Sequence, residues 1–383
     1  MHRLRNAALL TAAAALAACA DQSPTAGRAT DAAPLLASGS AIQGQYVVVL
    51  REGADPRSVA AVAGVHPRYV YTAALNGFAA SLNAGQLNAL RHNPGVDYVE
   101  ADQPFEARTT QTGATWGIDR IDQRNLPLSG TYTYTSTGAG VYAYVVDTGI
   151  QTNHPQFGTR AAVAYDALGG NGQDCNGHGT HVAGTIGSTT YGVAKSVQLR
   201  AVRVLNCSGS GSTSGILAAV DWIRLNRSNP AVANLSLGGG YSSSLNTAVT
   251  SLANSGVFVA VAAGNSNADA CNYSPSSAPA VFTTASSEKT DARRTSSNYG
   301  SCVDGYAPGG SITSTWINSS TATISGSSMA SPHVAGVAAL YKATYGNAST
   351  ATIDSWIKTN ATQGVITGNP SGTPNRLLYK AAL

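Results

Sequence analysis

Four near-continuous apolar runs mark the second half of the chain: Val141–Asp147, Gln198–Leu205, Val232–Leu237 and Val257–Ala262. Runs this short and this rich in apolar residues read as strands covered on both faces. Between them, His178–Gly187, Gly215–Asn226 and Ser243–Ser255 carry apolar residues at helical spacing, and a further helix runs from Met329 to about Ala343. Strand and helix alternation predicts an α/β unit over 109–383, with a mostly parallel central sheet and helices on both faces. In such sheets, chemistry gathers at the carboxyl ends of the strands.

The pattern before residue 109 differs. A strand at Gln45–Leu50, a helix near Asp55–Gly64, strands near Tyr69–Ala74 and Asn76–Leu82, a helix near Ala84–Asn93 and a strand near Val96–Asp102 follow one another. That order predicts a small ferredoxin-like α+β unit over 43–108. A unit of roughly 60 residues is marginal alone and calls for a partner surface. Residues 20–42 are rich in Ala, Ser, Pro, Asp and Gly and read as a flexible tether. At the start, Arg3 and Arg5 precede an apolar stretch, Ala7–Ala18, too short to span a bilayer, so 1–19 reads as an export signal. Leu16-Ala17-Ala18-Cys19 resembles a bacterial lipoprotein cleavage box with Cys19 as the lipidated residue; the alternative is an ordinary signal peptide.

Charge narrows the function classes. Only 11% of residues are charged, the formal net charge is +4, and the basic residues are scattered. Nucleic acid is therefore not expected as a partner, and a membrane only through a lipid on Cys19. Of the five cysteines, Cys19 accounts for the odd one. An exported chain sits in an oxidising compartment, so Cys175, Cys207, Cys271 and Cys302 are expected to form two disulfides. Three connectivities are open, and Cys175–Cys207 with Cys271–Cys302 is the simplest. Each such bridge contributes about 3–4 kcal/mol in the chain-entropy model.

Three residues carry candidate chemistry. Asp147 ends an apolar strand. His178 lies in Asn176-Gly177-His178-Gly179 and opens a helix. Ser328 lies in Gly326-Ser327-Ser328-Met329, also at a helix start, with Pro332 placed in its first turn. Taken singly, each has a plainer reading: a loop carboxylate, a His178/His181 metal pair, an N-cap serine. Taken together, Asp, His and Ser follow the chain order of subtilisin.

At this point the strings YVVDTGI (144–150), NGHGTHVAGTIG (176–187), VANLSLGGG (232–240), VAAGNSNADACNYSP (261–275) and ISGSSMASPHVAGVAALY (324–341) resemble the subtilase family. The likeness is to its proteinase K branch, including aqualysin-like and Vibrio-type extracellular proteases, and spans nearly all of 109–383. It implies a calcium-stabilised serine endopeptidase, exported and monomeric, acting on protein and peptide substrates. Ser328 would be the nucleophile, His178 the general base and Asp147 its orienting carboxylate. Asn265 would donate to the oxyanion. Gly209, Ser210 and Gly211 with Ser236, Leu237 and Gly238 would flank an extended peptide as added strands. Ala262, Ala263 and Gly264 would line a pocket for a large apolar or aromatic residue before the scissile bond.

The same resemblance implies structural Ca2+ at Pro279, Val281 and Asp304, and a second site at Asp119, Asp122 and Gln123. Val365 stands where the branch has an aspartate for a weaker calcium, so that site is expected to be lost. The 43–108 unit resembles the family's inhibitory propeptide, with self-cleavage near Arg108–Thr109. The competing reading is an inactive, lipid-anchored module of the same fold that binds without cleaving.

Overall fold

The apolar runs become neighbouring strands because each buries both faces. The computed structural model describes residues 32–36, 41–103 and 108–383; the expectations for Arg3, Arg5 and Cys19 lie outside the described residues. In the large unit the strands are β1 (Tyr142–Asp147), β2 (Ala161–Asp166), β3 (Gln198–Arg203), β4 (Ala231–Leu235), β5 (Phe258–Ala262), β6 (Phe282–Ser287), β7 (Gly305–Pro308), β8 (Thr362–Gln363) and β9 (Arg376–Leu377). Their order in one sheet is β2-β3-β1-β4-β5-β6-β7-β9-β8. Every pair is parallel except β8 with β9.

Along β1, Ala143 and Val145 enter one hydrophobic cluster and Tyr144 and Val146 the other. That is the period-two consequence of a strand covered on both sides. The first cluster is completed by helices α1 (His178–Gly187) and α4 (Ser327–Tyr345), the second by α2 (Thr213–Asn226) and α3 (Ser243–Asn254). Helix α5 (Thr350–Asn360) adds Ile353 and Ile357 to the first cluster. From β1 the chain reaches β3 on one side and then β4 on the other. This reversal opens a crevice at the carboxyl ends of β1, β3 and β4.

Three helices start on a serine whose hydroxyl accepts a backbone N–H: Ser212 for α2, Ser242 for α3 and Ser349 for α5. Helices α1 and α4 instead start on Gly177, at φ 112°, and Gly326, at φ 155°, with no side-chain cap. These are the two helices that carry His178 and Ser328. Glycine supplies this backbone without strain. Side chains outside the helix then take the first N–H groups, Asn176, Thr148 and Asp174 at α1 and Asn265 at Ser327 of α4.

Pro332 does not lie in the first turn as the sequence suggested, because α4 begins at Ser327 and places it in the second. The missing N–H at Pro332 leaves the Ser328 carbonyl without its helical partner. The Ser236 hydroxyl donates to that carbonyl instead, at 2.7 Å.

The small unit has strands Gln45–Leu50, Tyr69–Tyr71, Gly77–Ser81 and Val96–Ala101 with helices Pro56–Val62 and Ala84–Arg91. Its four strands pair antiparallel in the order fourth, first, third, second, the predicted ferredoxin-like arrangement. Val48, Phe78, Leu90 and Val99 form its own core. The expectation that 20–42 is only a tether needs correction. Leu35–Leu36 forms a strand parallel to Val99–Glu100, and the Ala33 N–H donates to the Arg91 carbonyl. Ala33 is buried in the core of the small unit, and backbone pairing carries the next residues along the sheet edge while both leucine side chains stay exposed.

Gly179 is where α1 meets the end of β1. A methyl there would land on the Gly149 carbonyl and press on Thr148 and Asp147. Gly179→Ala is expected to destabilise the large unit by about 1–3 kcal/mol, read as a lower urea midpoint in a Ser328→Ala background.

Candidate active site

Asp147 closes β1 and is fully buried, while the His178 side chain, at the first residue of α1, is 26% exposed. One carboxylate oxygen, Oδ1, accepts from His178 Nδ1 at 2.7 Å and from the Thr148 N–H at 2.8 Å. This hydrogen bond places the proton on Nδ1 and leaves Nε2 as an acceptor on the opposite edge of the ring. Burial by itself pulls the His178 pKa down. The charge and hydrogen bond of Asp147, with the charge of Asp174 behind it, outweigh burial and hold the imidazole above its ordinary value.

Asp174 was not singled out from the sequence. Its Oδ1 accepts from Thr148 Oγ1 and from the N–H groups of Asn176 and Gly177, and its Oδ2 from the N–H and hydroxyl of Thr180. One carboxylate thus ties the loop after β1 to the start of α1. The Cys175–Cys207 disulfide and the Asn176 amide on the Cys207 carbonyl join the same loop to the segment after β3. The second bridge is Cys271–Cys302. Both pairings follow the simplest of the three connectivities.

Ser328 lies in the first turn of α4. Its hydroxyl donates to the Ser236 carbonyl at 3.1 Å, so here it rests on the segment after β4 and not on the imidazole. A chain of hydroxyl and amide groups holds that segment against α4: Ser331 Oγ donates to Asn234 Oδ1, and Asn234 Nδ2 donates to Ser236 Oγ. Asn265 Oδ1 accepts the Ser327 N–H at 2.8 Å, which orients the amide with Nδ2 as its remaining donor. The Ser327 hydroxyl accepts the Gly264 N–H at 3.0 Å, so serine at this position braces the turn that carries Asn265.

His178 fronts a cleft of about 490 Å³ lined on its two sides by Gly209, Ser210 and Gly211 and by Ser236, Leu237 and Gly238. Ser328 and Asn265 line an adjoining cavity of about 270 Å³ with Ala262, Ala263 and Gly264. The two share Leu237 and Gly238, and no charged side chain lines the second. His181 takes no part. It is fully buried, its Nε2 faces the Ile312 and Ala322 carbonyls, and burial lowers its pKa to about 4. A His178/His181 metal pair is thereby set aside.

The sequence signature of the subtilase family matches residues 138–377, and that of the peptidase inhibitor I9 family matches residues 45–108. The chain belongs to the subtilase family. An extracellular serine proteinase of Thermus sp. (strain Rt41A) is 50% identical over 402 aligned positions, covering 97% of this chain and 98% of that one. Alkaline serine exoprotease A of Vibrio alginolyticus is 52% identical, covering 81% of this chain and 59% of that longer protein. The crystal structure of a cold-adapted subtilisin-like serine proteinase superposes with a TM-score of 0.70 at 51% identity, covering 71% of this chain and all of that one. This subtilase is therefore a serine peptidase preceded by an I9-type propeptide.

Subtilases commonly bind structural calcium. Among the described residues, no three His, Cys, Asp or Glu side chains converge as a metal centre. Asp119 accepts from Ser129 and Gly130, Gln123 Oε1 accepts the Ser129 N–H, and Asp122 Oδ2 accepts the Thr133 N–H. Asp122 Oδ1 stays outside this network, so the segment retains hard oxygen donors suited to calcium. The other expected site does not fit. Asp304 Oδ1 is paired with Lys358 Nζ at 2.7 Å, its Oδ2 accepts the Thr283 N–H, and the Pro279 carbonyl accepts Thr250 Oγ1. Val365 offers only an apolar side chain, packed against the Tyr306 cluster.

Asp174→Asn removes one of the charges that raise the His178 pKa. The acid limb of the kcat/KM profile is expected to move to lower pH, because the imidazole then becomes neutral at lower pH. A pH–rate profile on a small peptide substrate, compared with the parent, checks this.

Proposed function

We propose that this subtilase is a secreted serine endopeptidase that matures by cutting itself near Arg108–Thr109. The observation that carries the reading is the buried Asp147 carboxylate held 2.7 Å from His178 Nδ1, at the sheet edge where Ser328 and Asn265 also lie. The name of the Thermus relative, an extracellular proteinase, supports export.

A peptide enters extended, its backbone pairing with 209–211 on one side and 236–238 on the other. An apolar or aromatic side chain fills the uncharged cavity beside Ala262, Ala263 and Gly264. The substrate displaces the Ser328 hydroxyl from the Ser236 carbonyl, and the hydroxyl turns to His178 Nε2. Oγ attacks the scissile carbonyl and its proton passes to Nε2. Asp147 stabilises the imidazolium so formed. The Asn265 Nδ2 and the Ser328 N–H, open at the uncapped start of α4, receive the oxyanion. Collapse gives the proton to the leaving amine and leaves an acyl-serine, which water hydrolyses by the same route in reverse. The I9-type propeptide would inhibit the enzyme until it is removed. Asp119, Asp122 and Gln123 would hold a structural calcium ion, and no chemical step passes through it.

The precursor is expected to convert to a fragment beginning near Thr109 and to digest casein, while Ser328→Ala stays full length and inert. A denaturing gel with N-terminal sequencing decides between them. If both stay full length and folded, the chain is a binding module and the hydrolytic reading falls. Asn265→Ala is expected to lower kcat by about 100- to 1000-fold with little change in KM, measured on a chromogenic peptide.

A further inference from the structure

We propose that Lys358 is a built-in cation standing where a structural calcium would otherwise sit, so that the Asp304 site of this chain is stable without metal. Three groups of observations carry this.

The first is geometry. Lys358 Nζ lies 2.7 Å from Asp304 Oδ1 and 2.8 Å from Asp354 Oδ2, bridging two carboxylates that come from different parts of the fold. Asp354 and Lys358 are one turn apart on α5. The helix therefore delivers the ammonium and its second counter-ion together, and the packing of Ile353 and Ile357 into the core fixes how they are presented.

The second is charge. Without Lys358 the two aspartates would carry two negative charges side by side, the demand a divalent cation meets. With it, one unit of positive charge already sits between them, and a calcium ion would have to approach an ammonium. The cavity at this position, about 430 Å³, is lined by Pro279, Val281, Asp304, Asp354 and Lys358 and is wide enough for a hydrated ion. Exclusion is therefore electrostatic and not steric.

The third is coordination. Calcium takes six to eight oxygens, whereas an ammonium needs no more than three acceptors. Here the Pro279 carbonyl already accepts the Thr250 hydroxyl, and one side of the ammonium faces the Phe282 ring, 5.9 Å from its centre. A ring face suits an organic cation and supplies no ligand oxygen.

The test uses the full chain in a Ser328→Ala background, which prevents self-digestion. All four tryptophans, Trp116, Trp222, Trp316 and Trp356, lie in the large unit, so their fluorescence follows its melting. Midpoints are read with excess calcium and with a chelator. Any calcium response of the parent, such as one from Asp119 and Asp122, is expected to survive Asp304→Asn unchanged. Lys358→Met is expected to melt earlier in chelator and to gain a calcium-dependent rise of several degrees. Adding Asp304→Asn to it is expected to abolish that gain. Loss of the parent's calcium response in Asp304→Asn would show that the site takes metal beside Lys358 and would overturn the proposal. A folded Lys358→Met chain with no gained response would overturn it too. The parent and Asp304→Asn comparison decides the matter even if Lys358→Met does not fold.

Discussion

Everything in the large unit depends on one charge being kept out of water. Asp147 sits at the end of a strand buried on both faces, and a carboxylate there is costly unless it is hydrogen-bonded and faces a cation. Thr148 N–H and His178 satisfy one oxygen, while the second finds no hydrogen-bond partner among the described residues. The arrangement makes the imidazole the group that relieves the carboxylate, and so ties the position of α1 to the end of β1. The close approach at Gly179 and the five hydrogen bonds to Asp174 are the means by which the backbone holds that distance.

The other half of the site is built by leaving things out. Helices α2, α3 and α5 satisfy their first turns with serine caps, whereas α1 and α4 begin on glycine: the first N–H groups of α1 donate to Asn176, Thr148 and Asp174, and at α4 the Ser327 N–H donates to Asn265. Pro332 omits an N–H, and the freed Ser328 carbonyl becomes the anchor for Ser236. One side chain then locks the segment after β4 to the start of α4, where the cleft and the second cavity meet. These omissions cost helix stability, which the dense packing of α4 between β4, β5 and β6 offsets.

The calcium positions implied by resemblance carry different side chains in this chain. Of three calcium positions implied by resemblance, one keeps oxygen donors at Asp119, Asp122 and Gln123, one has an ammonium at its centre, and one has Val365.

Much of this was legible in the sequence. The apolar runs predicted β1, β3, β4 and β5, helical spacing predicted α1 to α3, and turn glycines with the order Asp147, His178, Ser328 pointed to the site. Burial imposes a local, periodic signal, and special backbone angles demand glycine, so both can be read along the chain. Strands β6 and β7 escaped because Thr, Ser, Gly and Pro fill more than half of their buried positions and break up the apolar run. Strand β2 escaped because it lies at the sheet edge and is only partly covered. Tertiary structure alone decided which polar groups meet: Asp174 with Thr148 and Thr180, Ser236 with the carbonyl freed by Pro332, Asp304 with Lys358. Apart from Asp174 with Thr180, these partners lie far apart in sequence, and none carries a periodic signal, so the pairing exists only once the packed core has fixed where each loop and helix end arrives.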